Sequence, residues 1–225
     1  MKLLIDDAQI EKIRTVTEFY PCDGVTTNPS ILAKAGKPPF EVLKEIRTLI
    51  GKEKELHVQV VSEKAEDMVT EAHKIADVLG KDTFIKVPTV PEGLKAMQIL
   101  KKEGFRITAT AIYTPMQAYL AAKAGADYVA PYVNRIDNLG ADGIESTKTI
   151  QNILDNNGFE TEILAASFKN SQQVQALCEY GIGAATAAPD VIEGFLKNAS
   201  VDAAVKAFVS DFESLCGDGK TMLDC

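Results

Sequence analysis

Lys86 is a single lysine in an apolar run, where a buried amine would be a reactive group. The run covers residues 83–88, Thr-Phe-Ile-Lys-Val-Pro, and is typical of a buried strand. Alternation along the strand places Phe84 and Lys86 on the same face. Such a lysine either extends its amine to the surface or holds it in a low-dielectric pocket, where a lowered pKa lets it form a Schiff base with a carbonyl. The run alone leaves both interpretations open.

Strand and helix signals alternate along the whole chain. Strands are expected at about residues 3–6, 24–27, 56–61, 83–88, 106–112, 128–133, 162–167 and 183–187, and a helical periodicity follows each of them. Eight such units in 225 residues predict a (β/α)8 TIM barrel rather than an open doubly wound sheet. No linker interrupts the units, so we expect residues 1–225 to form a single domain.

The sequence predicts one helix in addition to the eight strand–helix units of the barrel. Over about residues 201–215, apolar side chains recur at helical spacing, at Val201, Val205, Phe208, Val209 and Phe212. This C-terminal helix either packs against the outside of the barrel or contacts a neighbouring subunit. The sequence leaves both roles open.

Polar residues ahead of several helices predict where those helices begin. We expect Asp7 to cap the first helix and Ser62 to cap the long helix after the third strand. Thr89 and Glu92 have the spacing of a capping box.

Composition excludes several classes of function. The net charge of −8 disfavours general nucleic-acid binding, which needs a basic face, and any anionic substrate requires a local positive site. The N-terminus lacks the pattern of a signal peptide, and no apolar run approaches membrane-spanning length. The four cysteines have no metal-ligand spacing and there are only two histidines, so no metal site is expected. A cytoplasmic protein with reduced thiols is the simplest interpretation.

Barrel enzymes place their active site at the carboxyl ends of the strands, so polar residues at those ends are candidates. They include no paired His and Asp, no acidic metal cluster and no glycine-rich phosphate loop. One lysine, one carboxylate, amides and hydroxyls suit proton transfer through an imine, with no metal or organic cofactor. The candidates are Asp6, Thr26, Thr27, Asn28, Gln59, Lys86, Thr110, Tyr132, Asn134, Arg135 and Ser167.

Some of these residues also have a purely structural interpretation. Asn28 can belong to a turn that caps a helix, and Tyr132 can pack inside the barrel with its hydroxyl satisfied. Arg135 can form a surface ion pair with Asp137 that contributes little. His57 lies deeper on its strand, and we interpret it as a core histidine with hydrogen-bonded nitrogens.

Four segments together resemble the transaldolase family, and most closely its short members, the fructose-6-phosphate aldolases. The resemblance covers essentially the whole chain, in order and with little insertion. The segments are residues 24–30 (Gly-Val-Thr-Thr-Asn-Pro-Ser), 85–88 (Ile-Lys-Val-Pro), 130–137 (Ala-Pro-Tyr-Val-Asn-Arg-Ile-Asp) and 165–169 (Ala-Ala-Ser-Phe-Lys).

The resemblance implies which residues perform the chemistry. Lys86 matches the lysine that forms a Schiff base with the substrate ketone, and Asp6 matches the aspartate that orients and assists this lysine. Gln59, Thr110 and Tyr132 match the group that positions a catalytic water and relays a proton.

The resemblance also implies which residues bind the substrate. Thr26 and Asn28 match residues that hold the dihydroxyacetone end. Arg135 and Ser167 match the anchor for the terminal phosphate, and Asn134, within the same motif, is a further expected binding residue.

Two positions favour the aldolase subgroup. Short transaldolases resemble Ala-Glu-Val on the third strand and Ser-Pro-Phe on the sixth, whereas this chain has Gln59 within Val-Gln-Val and Tyr132 within Ala-Pro-Tyr. Residues 186–190 depart from the family pattern because their proline is displaced. This departure puts substrate contacts from that part of the rim in doubt.

The expected function is a class I aldolase or transaldolase that cleaves or transfers a dihydroxyacetone unit. Its donor would be a ketose with a terminal anion, such as fructose 6-phosphate, and it would release glyceraldehyde 3-phosphate or a related aldehyde. Alternative donors are sedoheptulose 7-phosphate and a 6-sulfo ketose such as sulfofructose. A barrel isomerase without covalent chemistry and a non-catalytic sugar-phosphate-binding barrel also remain open. The resemblance implies a homo-oligomer, a decamer in close members, while the composition favours a cytoplasmic protein that binds neither nucleic acid nor membranes.

Overall fold

Eight parallel strands close into a barrel in their order along the chain. The structure is a computed structural model that describes residues 1–225. The strands are β1 (Lys2–Asp6), β2 (Gly24–Thr26), β3 (Glu55–Gln59), β4 (Phe84–Pro88), β5 (Arg106–Ile112), β6 (Tyr128–Pro131), β7 (Glu162–Ala165) and β8 (Ala184–Ala187). Because β8 pairs in parallel with β1, the predicted (β/α)8 barrel is confirmed.

Eleven helices follow or connect the strands. None of them combines the length and the apolar character needed to cross a membrane. The helices are α1 (Ile10–Phe19), α2 (Pro29–Ala35), α3 (Pro39–Ile50), α4 (Ala65–Leu79), α5 (Pro91–Lys102), α6 (Pro115–Lys123), α7 (Val133–Asp137), α8 (Gly143–Asn156), α9 (Ser171–Tyr180), α10 (Pro189–Glu193) and α11 (Ala199–Cys216).

The main hydrophobic core lies between the barrel and its surrounding helices. Ile5, Val25 and Ile85 on the strands are completely buried, as are Met68 on α4 and Met97 on α5 to within 1%. Parallel sheets need such a cover of helices, and each side chain of this size contributes about 1.5–3 kcal/mol when buried. The core therefore fixes the strands, and with them the inward-facing residues near their carboxyl ends.

Two predicted caps are wrong because the polar side chains have other partners. Asp7 Oδ1 accepts hydrogen bonds from the next two backbone amides, at 2.7 and 2.8 Å, and Gln9 occupies the cap position of α1. Ser62 Oγ donates to Glu71 Oε1 at 2.6 Å, and α4 begins three residues later.

The predicted capping box before α5 is also wrong. Glu92 accepts a hydrogen bond from Ala65 N at 2.9 Å and so ties α5 to the start of α4, while the side chain of Thr89 donates to the β5 backbone. A complete capping box occurs at the start of α6, where the Thr114 side chain binds Gln117 N and the Gln117 side chain binds Thr114 N. Tertiary packing decides which acceptor reaches each free amide.

Two short helices, α2 and α7, were not predicted, and both follow strand ends that carry site candidates. α2 begins directly after Asn28, and α7 begins directly after Tyr132. The chain therefore leaves the sheet at Pro131, earlier than the predicted end of the sixth strand. The seventh strand also ends early, because Ser167 has a left-handed backbone conformation with φ of 61°.

Aromatic and charged side chains close the amino end of the barrel interior. His57 is fully buried and stacks on Phe84 with ring centroids 4.4 Å apart. Its two nitrogens form hydrogen bonds with Thr108 Oγ1 at 2.9 Å and Glu55 Oε2 at 3.2 Å. Burial lowers the pKa of His57 to about 4, so the ring is neutral at pH 7. The prediction of a core histidine with satisfied nitrogens is confirmed.

The chain divides into two compact units, Met1–Ile192 and Glu193–Cys225. The first unit contains the barrel, and the second contains the extra C-terminal helix predicted from the sequence, α11. No residue of α11 is buried, and its apolar side chains Val205, Phe208 and Val209 are more than half exposed.

The second unit also brings Cys216 and Cys225 together, with their Cα atoms 6.5 Å apart. This distance allows a disulfide between them, and the expectation of reduced thiols stays a prediction for this pair. Cys22 and Cys178 are free.

Candidate active site

Pairing between neighbouring strands gathers the candidates near the carboxyl end of the barrel interior. Asp6 pairs with Thr26 across β1 and β2, and Gln59 pairs with Lys86 across β3 and β4. Thr110 lies two residues beyond the partner of Lys86 on β5. Since alternate strand residues face the same side, these side chains share one space inside the closed barrel.

The Lys86 side chain is buried, and the residue is only 5% exposed. Its Nζ donates a hydrogen bond to the Thr27 carbonyl oxygen at 2.8 Å. Burial lowers the pKa of Lys86 because the charged amine loses hydration, and attraction to Asp6 offsets this effect only in part. The fraction of neutral, nucleophilic amine at pH 7 is therefore larger than for an exposed lysine.

Asp6 is the carboxyl group whose charge acts on Lys86. Burial raises the pKa of Asp6, while the charge of Lys86 and a hydrogen bond from Thr26 Oγ1, 2.6 Å from Asp6 Oδ1, lower it. The pKa values of the acid and the amine are thus shifted toward each other. The two groups form no hydrogen bond or ion pair with each other, so a proton that passes between them needs a bridging water, and the converging pKa values keep its free-energy cost small.

The hydroxyls of Thr110 and Tyr132 form a hydrogen bond of 2.8 Å. The register between β5 and β6 shifts between Ala109 and Ile112, and Ala111 has a left-handed φ of 59°. Bulges of this kind re-aim side chains, and this one lies next to Thr110. The two hydroxyls form a pair through which a proton can pass.

Ser167 and Asn134 are joined through the backbone at the next part of the rim. Asn134 N donates to Ser167 O at 2.8 Å, and Ser167 has a φ of 61°. The left-handed conformation costs a serine about 1–2 kcal/mol. Strain of this kind is concentrated at functional sites, which supports a functional role for Ser167.

The Arg135 guanidinium is exposed at the same rim. Its Cζ lies 4.6 Å from the centroid of the Tyr132 ring, and Nη1 donates to Tyr113 Oη at 3.4 Å. The alternative interpretation of Arg135 as a surface ion pair with Asp137 is wrong, because the Asp137 carboxylate accepts hydrogen bonds from Gly143 N and Gln173 Nε2, both at 2.7 Å, instead. No carboxylate competes for Arg135 within salt-bridge distance, so its charge is available to an anion.

Asn28 and Gln59 lie at the rim, and neither side chain forms a hydrogen bond with the other candidate residues. Asn28 Oδ1 accepts from Ile31 N at 3.0 Å, so the interpretation of Asn28 as a helix cap is confirmed. Its amide nitrogen has no protein partner. Gln59 is partly exposed and lines a mainly apolar cavity of about 610 Å³ between α2, α3 and α4, together with Phe40.

Three residues contact the site in ways that the sequence did not predict. Thr27 was a candidate without an assigned role, and Tyr113 and Thr186 were not candidates. Thr27 supplies the carbonyl that binds Lys86, and no side-chain pattern indicates this. Tyr113 contacts Arg135, and the β5 bulge hides its position from strand alternation. The Thr186 hydroxyl lies 2.7 Å from Thr26 Oγ1, and the inward parity of Thr186 on β8 is the signal that indicates it.

Known proteins resemble this chain along nearly its whole length. A family model described as Transaldolase/Fructose-6-phosphate aldolase matches residues 3–223. A probable fructose-6-phosphate aldolase of Streptococcus pneumoniae is 43% identical over 94% of this chain and 96% of its own length. Probable transaldolases of Coprothermobacter proteolyticus and Geobacter sulfurreducens are 38% and 40% identical, over 96% of this chain and 99% of their own lengths.

The strain at Ser167 predicts opposite effects for two substitutions. Ser167→Gly should raise the free energy of unfolding by about 0.5–1 kcal/mol, since glycine adopts the left-handed conformation without strain but loses more entropy on folding. Ser167→Ala keeps the strain and should give no such gain. Urea denaturation of both variants measures the difference. A Ser167→Gly protein less stable than Ser167→Ala would show that the conformation is not strained.

Proposed function

The chain belongs to the transaldolase/fructose-6-phosphate aldolase family, and from that premise we propose that it is a Schiff-base enzyme that cleaves or transfers a dihydroxyacetone unit. The proposed donor is a ketose with a terminal anion, such as fructose 6-phosphate, and the released aldehyde is glyceraldehyde 3-phosphate or a related compound. The observation that carries the proposal is the buried amine of Lys86, whose pKa burial lowers, paired with Asp6, whose pKa burial raises.

In the first step the Asp6 carboxylate takes a proton from Lys86 through water, and the neutral amine then adds to C2 of the ketose and forms a carbinolamine. Asp6 gives a proton to the departing hydroxyl group, so that water leaves and a protonated imine forms. Asp6 is then a carboxylate next to the new positive charge, which it stabilises in the low dielectric of the barrel.

In the second step the C3–C4 bond breaks and its electrons pass to the protonated imine, which becomes an enamine. The C4 hydroxyl proton passes, directly or through water, to the Tyr132 oxygen while Tyr132 releases its own proton to solvent, and Thr110 Oγ1, 2.8 Å away, holds the Tyr132 hydroxyl in place. The aldehyde leaves. The enamine then gains a proton at C3 and is hydrolysed to dihydroxyacetone and free Lys86, or it adds to a second aldehyde, which is the transfer reaction.

The two ends of the substrate meet different groups in this proposal. Because Asn28 Oδ1 caps α2, its amide nitrogen is the group left to bind a hydroxyl of the dihydroxyacetone end. Thr26 acts there through Asp6, to which it donates its proton. Arg135 and Ser167, with Asn134 beside them, bind the terminal anion. A guanidinium suits this task because it can donate two parallel hydrogen bonds to a tetrahedral oxyanion.

The balance between cleavage and transfer is assigned to Gln59, which pairs with Lys86 across the ladder. The relatives include both a probable fructose-6-phosphate aldolase and probable transaldolases. A 6-sulfo ketose is a second candidate donor, since a sulfonate presents the same tetrahedral face to the exposed Arg135 with one charge fewer. The homo-oligomeric state and the cytoplasmic location implied by the family stay predictions.

Trapping with borohydride tests the covalent step. Wild-type protein incubated with fructose 6-phosphate and borohydride should carry a reduced three-carbon adduct on Lys86, located by peptide mass spectrometry. In Tyr132→Phe the imine should form but cleavage should slow by about 10²- to 10⁴-fold, so that the trapped adduct keeps all six carbons.

The controls for trapping are two lysine variants. Lys86→Met should remove the adduct and the activity, whereas Lys12→Met, which changes an exposed lysine on α1, should keep both. An adduct on a different lysine, or turnover by Lys86→Met, would exclude the mechanism. Absence of any adduct together with isomerase activity would favour a non-covalent barrel enzyme.

The role of Arg135 predicts a selective loss of affinity. Arg135→Ala should raise KM for phosphorylated or sulfonated ketoses by about 10- to 100-fold, because a hydrogen bond to a charged group contributes about 1.5–3 kcal/mol. Cleavage of an uncharged ketose should change little. Steady-state kinetics with both substrate types measure this contrast, and Arg14→Ala on the exposed face of α1 serves as the matched control. Equal losses on both substrate types would mean that Arg135 supports the rim rather than binding the anion.

A further inference from the structure

Thr186 lies in the barrel interior beside the candidate site but has no part in the reaction described above. It is 2% exposed and lies on β8, which pairs with β1 on the side opposite to β2. The strand that carries Asp6 is therefore flanked by Thr26 on one side and Thr186 on the other. The two threonine hydroxyl oxygens are 2.7 Å apart, and Thr26 is the only hydrogen-bond partner of the Thr186 side chain.

The direction of this hydrogen bond follows from counting protons. A threonine hydroxyl has one proton to donate and two lone pairs that accept. Thr26 donates its proton to Asp6 Oδ1 at 2.6 Å, a distance typical of a hydroxyl bound to a carboxylate. Thr186 must then be the donor to Thr26. The three side chains form a chain of hydrogen bonds that starts at Thr186, passes through Thr26 and ends on the carboxylate.

We propose that Thr186 is a positioning residue that acts through Thr26 to orient the Asp6 carboxylate and to keep it deprotonated. When the Thr186 hydroxyl donates to Thr26, it polarises the Thr26 hydroxyl and strengthens the hydrogen bond from Thr26 to Asp6. The reason is that successive hydrogen bonds in a low dielectric reinforce one another. A protonated Asp6 would gain less from this chain than a carboxylate does. The inference rests on the proposed function in one respect, namely that Asp6 assists Lys86.

The charged groups that act on Asp6 come from three parts of the chain. They are Lys86 on β4, Arg135 on α7 and Asp7, the next residue. Thr26 and Thr186 are the uncharged neighbours from the two flanking strands. A substitution of Thr186 leaves all of these charges in place, so a change in the titration of Asp6 would report the hydroxyl alone.

The test compares three threonine variants with the wild type. Thr186→Val removes the hydroxyl and keeps the shape, and Thr186→Ser restores a hydroxyl. Thr161→Val is the matched control. Thr161 lies in the loop before β7, is also buried, and donates a hydrogen bond to Ala126 O at 2.7 Å. The carboxyl carbon of Asp6 is titrated by NMR in each protein, with Asp6→Asn to identify its signal, and the pH dependence of kcat/KM for fructose 6-phosphate is measured in parallel.

In Thr186→Val the pKa of Asp6 should rise by about 0.5–1 unit, the effect of one weakened hydrogen bond. The acid limb of kcat/KM should move to higher pH by the same amount, so that activity below its midpoint falls by about 3- to 10-fold. Thr186→Ser should titrate close to the wild type. Thr161→Val should lose stability in urea without a shift in either profile.

Two results would overturn the inference: an Asp6 titration unchanged in Thr186→Val, or a shift in Thr186→Ser as large as in Thr186→Val. Failure of the proposed function gives a different result, because a wild-type protein that neither turns over nor traps fructose 6-phosphate would refute the aldolase reaction. The NMR titration would still decide the role of Thr186 in that case.

Discussion

The placement of the buried Lys86 amine near the partly exposed Asp6 carboxyl group, whose charge acts on it, is the constraint on which the rest of the site depends. Lys86 and Asp6 both lose hydration inside the barrel. This loss lowers the pKa of Lys86 and raises the pKa of Asp6, so that the neutral form of each group is favoured. Their mutual attraction opposes these shifts. Near such a balance, one hydrogen bond is enough to change where the proton resides. The Thr27 carbonyl and the Thr26 hydroxyl therefore matter more to the chemistry than the net charge of the chain.

The barrel holds this pair in place, and departures from regular strand geometry shape the rim around it. A closed parallel sheet has no edge strands, and the core between barrel and helices fixes each strand end. The β5 bulge, the left-handed Ser167 and the short helix α7 then place hydroxyl and guanidinium groups on one part of the rim. In the proposed reaction, rigid strands carry the reacting groups, while strained or short segments carry the groups that would bind the far end of the substrate.

Local patterns predicted the regular elements well. The strand expected at residues 106–112 matches β5, and the extra helix expected at about residues 201–215 lies within α11. The short helices were missed because one or two turns give too few residues for a periodicity. The caps failed because several acceptors compete for each amide. Alternation placed Lys86 on the same strand face as Phe84, and the closed barrel shows that this face points inward. The contact between Thr186 and Thr26 depends on the closure of β8 onto β1 and on side-chain packing.

The most direct test of a low-pKa nucleophile in the barrel is the titration of Lys86 Nζ itself. In protein labelled with ¹⁵N-lysine, the NMR signal that disappears in Lys86→Met identifies this amine, and its chemical shift is followed against pH. Burial predicts that Lys86 titrates well below the value of about 10.4 found for exposed lysines. A Lys86 signal that titrates together with the exposed lysines would contradict the proposal that burial prepares this amine for attack.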